Sequence, residues 1–575
     1  MKVKTTEMEN KNLQMMDVTT LRAVLSDVSK NILPSRFEKA QQPDENTIQL
    51  GFRNLEGLIW IELSWDPYSP RLIRINSPEK NGSESTLAKQ FQYGLKQKAL
   101  LEIKQEGFER VVEFGFSLRP NEPIEKYLIL ELMGRHSNIL LLNSNRQVIT
   151  IGRQVRVNQS RLRPISTGDT YVPPPSLIGI KPTKEESLEK WKARLSLLPI
   201  TFEKALLETY QGVSPSLCLQ IASEKRQEAQ EIINLNVKYI SIETWKTLYK
   251  RWNIWLNDLE KSNFGISFEG STPYRVWNTS ISNLNIKDTN TISLGNYYKD
   301  NLELKRFNDI HKKVNKNLIK SKSSEENSLK KQKALFSQVA ETNTLKIKAD
   351  DILSRKNPSK EKIKEAQSMY NRIKKIRRSK SIIIDRINYH KDRIKFINES
   401  ELFINDLILE LNYKTSEKIQ IISELKEELE VHLCWSNSQK PEKSHSKKNP
   451  IKVLELISPS GLKIQIGRNH KQNEFISMRN SRKGDIWFHA QECPGSHVVL
   501  KSSVGNFEEN DLQMGADIAA FFSRARESHK VSVVMVPTNQ LNRLKGANPG
   551  TVTHKGGKIL WGNPQQVKKL IDSTL

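Results

Sequence analysis

The chain has 575 residues, with 91 Lys+Arg against 65 Asp+Glu and a formal net charge of +26. That length suits roughly three to five domains, and a 37% hydrophobic, 27% charged composition fits folded domains joined to a long solvated element. The basic surplus points to a polyanionic partner, nucleic acid or an anionic membrane surface. No run approaches the roughly 18 apolar residues of a bilayer span, and MKVKTTEMENKNLQMMDVTTL carries no apolar signal region.

The same N-terminal stretch makes Met15 or Met16 a candidate start. Cys218, Cys434 and Cys493 are odd in number, far apart and without CxxC spacing, which predicts no disulfide framework and a reducing compartment. The expectation is a cytoplasmic, basic, multidomain protein.

Residues 17–180 are read as α/β or α+β. An amphipathic helix from Asp17 (Leu21, Val24, Leu25, Val28) precedes the strand-like runs TIQLGF, GLIWIELSW and PRLIRI. A helix is expected over 86–103, then strands RVVEFGF, YLILELM and SNILLLN, the last two split by Gly134 as a hairpin or adjacent pair. Consecutive prolines in VPPPS (172–176) close the domain.

Residues 183–262 are read as helical. LLETYQGVSPSLCLQIA (206–222) is a helix, a Gly-centred turn and a second helix. It fits either a helix-hairpin-helix, whose helix N-terminal amides face a phosphate, or an ordinary αα-hairpin.

From 366 to 411, in alternating steps of three and four, the seam reads Ala366, Met369, Ile373, Ile376, Lys380, Ile383, Ile387, His390, Ile394, Ile397, Glu401, Ile404, Ile408, Leu411. Eleven of these fourteen are apolar, which predicts a coiled coil reaching about 70 Å at about 1.5 Å per residue. A weaker seam upstream (Leu304, Phe307, Val314, Leu318, Leu335, Val339) and a turn at Asn357-Pro358 predict an antiparallel arm with its tip near 355–362. Residues 301–400 hold 27 Lys+Arg and 12 Asp+Glu, 27 − 12 = +15. The densest block, KKIRRSK, supplies the basic patch Lys374, Lys375, Arg377 and Arg378. A solvated helix exterior would use both signs; the surplus of one favours a phosphate-lined partner.

SNSQKPEKSHSKKNP (436–450) is a polar linker. A second α/β unit follows: strands VLELISP, KIQIG, DIWFHA and HVVLK, helix DLQMGADIAAFFSRARES, strand VSVVMVP and a Gly-rich basic tail. The fold expected is multidomain α+β. It comprises an N-terminal α/β domain (16–180), a helical domain with the helix-hairpin-helix (181–297), a long antiparallel coiled-coil arm (298–435), the linker, and a C-terminal α/β domain (451–575).

His489, Cys493 and His497 have the i, i+4, i+8 spacing of zinc ligands on a helix, but Pro494-Gly495 breaks such a helix and the flanks read as strands. No metal is expected; a turn placing His497 at a surface that meets phosphate or ribose is preferred. KGANPGTVTHKGGK (545–558) is a basic loop that touches a nucleic-acid backbone or simply turns, and without GxxxxGK[ST] it is no P-loop. Arg135-His136-Ser137-Asn138 falls in a turn whose side chains suit phosphate, sugar or base edges; a structural turn explains Gly134 and Asn138 equally well. No paired carboxylates, GxSxG or supported Cys/His pair nominates an enzyme or a cofactor.

These segments together resemble the NFACT family of ribosome quality-control factors, whose bacterial form is the RqcH type, often called fibronectin-binding protein A-like. MDVTTLRAVL, ELMGRHSNILLLN, VNQSRLRPISTGDTYVPPP, ETYQGVSPSLCLQIA, DIWFHAQECPGSHVVL and KGANPGTVTHKGGKILWGNP occur in the family's order from Met16 to the C-terminus. The resemblance implies NFACT-N and NFACT-R domains at the two ends. It implies binding of a stalled large (50S) ribosomal subunit and its rRNA, with peptidyl-tRNA and its nascent chain still attached. Charged tRNA, alanyl-tRNA in bacteria, would be recruited so that a C-terminal tail grows without mRNA and marks the chain for degradation. Peptide transfer would belong to the subunit, so the protein is no enzyme; neither membrane nor DNA is an expected partner.

The resemblance assigns tRNA contact to Glu109, Arg110, Arg135, His136 and Asn138, and RNA contact to Asp485, Trp487, His489, His497 and Lys545. Glu109 stands where the family has Asp, one methylene longer, and LKQK (95–98) replaces its Leu-Arg-Lys run. Two alternatives are weaker. The first domain and the helix-hairpin-helix are similar in plan to formamidopyrimidine-DNA glycosylases, but their N-terminal proline is missing, Pro34 being the first. A fibronectin-binding adhesin would want a signal, anchor or disulfides.

Overall fold

The computed structural model describes residues 13–567 except 79–84, 157, 159, 161–162, 278–290, 341, 356–358, 410–413, 434, 436–452 and 544–549. The chain divides into two compact units, Met1–Leu302 and Glu303–Leu575. The turn at Asn357-Pro358, Leu411, Cys434, the linker 436–450 and Lys545 lie outside the described residues.

In the first unit, Asp17 caps α1 (Val18–Ile32), its Oδ1 accepting from the Thr20 amide at 2.8 Å. Then follow β1 (Ser35–Asp44), β2 (Thr47–Asn54), β3 (Gly57–Ser64), β4 (Arg71–Ile75), α2 (Thr86–Leu95), β5 (Ala99–Lys104), β6 (Val111–Ser117), β7 (Lys126–Glu131), β8 (Asn138–Asn143) and β9 (Val148–Ile151). The helix expected over 86–103 ends at Leu95, and after Gln97, at a positive φ of 63°, the chain re-enters the sheet as β5. The nine strands run β4-β3-β2-β1-β5-β6-β7-β8-β9, and every neighbouring pair is antiparallel. This corrects the α/β expectation for the domain: hairpin-linked strands need no crossover helices, so the domain is α+β. Leu21, Val24, Val28 and Ile32 of α1 bury against Phe52, Phe91, Phe114 and Phe116.

Helices α3 (Leu188–Leu195), α4 (Phe202–Thr209), α5 (Pro215–Ala222), α6 (Arg226–Asn234) and α7 (Ile242–Lys261) surround buried Trp191, Trp245, Trp252 and Trp255. The hairpin of β10 (Phe264–Ser267) and β11 (Arg275–Trp277) joins the two cores: Trp277 lies in the helical one, Tyr274 and Val276 in the sheet one.

The second unit carries most of α8 (Ile292–Ala340), then α9 (Thr342–Ser354), α10 (Lys360–Leu409) and α11 (Thr415–Leu433). Helices α8 and α10 are antiparallel, as Lys322 pairs with Glu401 at 2.7 Å and Glu325 with Arg393 at 2.6 Å. Of the three polar seam residues, Glu401 takes that Lys322 ammonium, His390 Nδ1 meets Glu325 at 2.6 Å, and Lys380 is exposed. Ala366, Ile373, Ile397 and Ile404 of the seam are buried. Unforeseen from sequence, α11 is a third helix at the arm's base: its Leu425, Leu429 and Leu433 pack with Val314, Leu318, Phe396 and Phe403.

The C-terminal domain comprises β12 (Leu454–Ile457), β13 (Lys463–Ile466), α12 (His470–Glu474) continuing as a π-helical turn over Phe475–Arg479, β14 (Ile486–Ala490), β15 (Val498–Leu500), α13 (Glu509–Phe521), β16 (Val531–Pro537), β17 (Leu541–Arg543), β18 (Val552–His554) and β19 (Lys558–Gly562). The main sheet runs β12-β13-β15-β14-β16-β19, again antiparallel at each pair, so this domain too is α+β and not α/β. Helix α13 covers one face, where Ala516, Ala519 and Ala520 meet Phe488, Val498 and Val533. No helix among the described residues is long and apolar enough to cross a membrane.

Candidate nucleic-acid interface

In the first unit the motif residues gather at one end of the nine-stranded sheet. Arg110 immediately precedes β6 beside the end of β7, where its carbonyl accepts from the Leu132 amide at 2.9 Å. The chain turns at once through Gly134, at φ +56°, and a single 3-10 turn that leaves Arg135 and His136 exposed. Asn138 is different: it is buried, its Oδ1 accepting from the amides of Ile139 and Arg153 and its Nδ2 donating to the Arg153 carbonyl. With every polar atom engaged internally, it locks the turn. The exposed Arg153 donates to the Arg135 carbonyl at 3.1 Å, adding a cation that sequence reasoning did not single out.

The same end holds the starts of α1 and α5. Ser214 caps α5 through the Leu217 amide and donates to Asp17 Oδ2 at 2.7 Å, so one carboxylate serves the N-termini of both helices. The glycine-centred turn read from sequence is there, with Gly212 at φ +75°; a Cβ would meet the Phe108 ring at 2.5 Å. Arg22 lies 5.1 Å from the Phe108 centroid and donates to the Gly107 carbonyl. The Arg110 side chain is half-buried; burial lowers its pKa, while Asp17 and Glu109 pull it back up. Glu109 accepts from the Leu177 amide at 2.8 Å, which pins the segment leaving the sheet. Asp17 is the internal anion where the helices begin, and Arg135, His136 and Arg153 are the exposed basic side chains of the neighbouring turn.

In the C-terminal domain the β14–β15 hairpin brings His489 and His497 together, ring centroids 5.4 Å apart, around Trp487. The His489 ring is parallel to Trp487 at 5.6 Å and the His497 ring perpendicular at 5.1 Å. His497 is buried, its Nδ1 2.7 Å from Ser477 Oγ, and burial holds it well below the usual imidazole range. His489 is half-buried, and burial followed by the Lys395 charge lowers it to about 4, so both rings are neutral at pH 7. Asp485 is fully buried and accepts from Lys501 Nζ at 2.5 Å and from the amides of Arg482 and Ser503. Burial alone would raise its pKa; these donors outweigh it. No group of three or more His, Cys, Asp or Glu among the described residues is placed to hold a metal ion.

Residues 17–356 match the NFACT N-terminal and middle domains, and residues 452–556 the NFACT protein RNA binding domain. This chain belongs to the NFACT family. It is 26% identical to the Rqc2 homolog RqcH of Streptococcus pneumoniae strain D39 over 586 residues, covering 95% of this chain and 98% of that protein. Identity to the Rqc2 homolog RqcH of Bacillus subtilis is 26% over 582 residues, covering 94% and 96%. The solved N-terminal part of the fibronectin/fibrinogen-binding protein from Streptococcus suis is 22% identical, covering 50% of this chain and 99% of that one, with a TM-score of 0.36.

Within this NFACT chain, Glu109, Arg110, Arg135 and His136 come to one sheet end, and Lys374, Lys375, Arg377 and Arg378 are all exposed on α10. None of those four arm cations is in an ion pair among the described residues. The surface position expected of His497 needs correction, and two other residues assigned to RNA, Trp487 and Asp485, are buried beside it. His497, Trp487 and Asp485 are buried because the sheet face that carries Trp487 is roofed by Ile476 and Leu541, and the Asp485 carboxylate neutralises a nearly buried lysine. Asn138 is the fourth residue turned inward. Sequence reasoning missed Asp17 and Ser214 as partners; the cap positions before two helices were their signal.

Proposed function

We propose that this NFACT chain is a ribosome quality-control factor that acts in the cytoplasm as a binding protein, not as an enzyme. It binds the large ribosomal subunit that still holds peptidyl-tRNA, and it recruits tRNA, alanyl-tRNA in the first instance, for tailing of the stalled chain without mRNA. The observation that carries this reading is one chain joining a match to the NFACT protein RNA binding domain with unpaired, exposed cations on a 50-residue helix. Such cations favour a phosphate backbone through counterion release. The RqcH-named relatives, which align along nearly the whole chain, support the same role.

Arg110, Arg135, His136 and Arg153 are the groups we assign to tRNA, with the Asp17 and Glu109 charges favouring the ionised Arg110 guanidinium. Sedimentation of lysate should place the protein in large-subunit fractions; finding it only at the top of the gradient would refute the reading. Arg110→Ala should abolish tails on captured stalled chains and leave co-sedimentation intact, since subunit attachment is assigned to the arm.

A further inference from the structure

The C-terminal sheet has a second exposed surface, at its β19 edge. Across β14, β16 and β19 one row reads His489, Val534, Ile559, and the next pairs Ser532 with Trp561. These side chains share the face turned away from α13, because their neighbours Leu560 and Val533 pack toward that helix and Gly562 lets β19 approach the Ala516 backbone. Towards β14 this face is roofed by Ile476 and Leu541. Towards its β19 edge it is open: Ile559 is 56% and Trp561 60% exposed. Both residues lie beyond 556, the last residue matching the RNA binding domain of the family.

We infer that Trp561 and Ile559 form a platform on which unpaired RNA bases stack. This rests on the RNA-binding reading above and specifies the form of RNA that the domain takes. Two features select that occupant. Between Glu527 and Asp572 the sequence has six lysines and one arginine and no acidic residue, and Lys530, before β16, and Lys555, before β19, are exposed. A flat aromatic surface bordered by cations suits a polyanion whose bases offer π-faces, whatever their sequence. Strand addition by a protein is disfavoured because edge groups of β19 are already engaged: Gln513 Nε2 donates to the Trp561 carbonyl at 2.9 Å, and the Asn563 amide donates to Asp517 at 2.7 Å.

The test uses the full chain with a labelled single-stranded oligouridylate and with an RNA duplex of equal length, both read by anisotropy. Trp561→Ala should weaken single-strand binding about tenfold, the scale of one lost base–aromatic stack, with Trp561→Phe close to wild type. Duplex binding should not change in either variant. Ile559→Thr, on the same face, should weaken the single strand about threefold. Unchanged single-strand affinity in Trp561→Ala overturns the proposal, as does equal loss on the duplex or absence of single-strand binding in the wild type. Co-sedimentation of Trp561→Ala with large subunits is scored separately, so failure of the platform leaves the subunit reading to its own experiment.

Discussion

The two sheet domains treat their motif residues in opposite ways. At the end of the N-terminal sheet, Arg135 and His136 stand exposed on a turn that Asn138 fixes from below. In the C-terminal domain, Asp485, Trp487 and His497 are buried, Asp485 and His497 with hydrogen bonds to the fold, while the exposed aromatic, Trp561, stands at the sheet edge. A motif legible as a string therefore mixes exposed residues with those that hold them in place. Burial and hydrogen-bond partners separate the two.

That contrast is sharpest in stability. Asp485→Ala leaves the nearly buried Lys501 ammonium without its carboxylate, and calorimetry should show a loss of about 3–5 kcal/mol. Arg135→Ala, at an exposed turn, should stay within about 0.5 kcal/mol of wild type. Similar costs for the two would erase the distinction drawn here.

A smaller effect is expected at the arm. Replacing Lys374, Lys375, Arg377 and Arg378 together by Ala should reduce the salt dependence of subunit binding, log K against log [KCl], by roughly 3 if the four neutralise phosphates. An unchanged slope would move the arm's charge from contact to solvation.

The mildest test concerns the junction of the arm with α12, where His470 stacks on Phe396 at 4.1 Å and its Nδ1 lies 3.7 Å from Glu399. Burial pushes Glu399 up to about 7, against the Lys395 charge, and lowers His470 to about 3. A raised carboxyl pKa contributes stability that is complete below its ordinary 4.5 and lost as pH rises through 7. His470, whose folded pKa is lowered, instead costs stability as pH falls below its ordinary 6.5. Glu399→Gln should therefore gain about 2 kcal/mol on wild type at pH 8 and nothing at pH 4. Parallel thermal midpoints of the two proteins from pH 4 to 8 would rule out this account.

Much of the fold was legible. TIQLGF, RVVEFGF and VSVVMVP announce β2, β6 and β16 through β-branched and aromatic content, and the seam of α10 through its alternating spacing. The strand β1, SRFEKAQQPD, was not, although it lies mid-sheet between β2 and β5: its polar composition carries no alternation that singles it out. Nothing in the spacing of His489 and His497 announced that the two rings meet around a buried tryptophan.

By itself the sequence determined the periodicities, the helical arm with its local +15, the positions of the caps and turns, and the family. These are properties of neighbours along the chain, fixed by 3.6- and 2-residue repeats and by backbone-specific residues. Only the tertiary structure decided which side of each sheet is covered. The pleat puts Trp487 and Trp561 on the same face, yet Ile476 and Leu541 roof one and leave the other open. Burial depends on elements distant in sequence, and no local pattern encodes it.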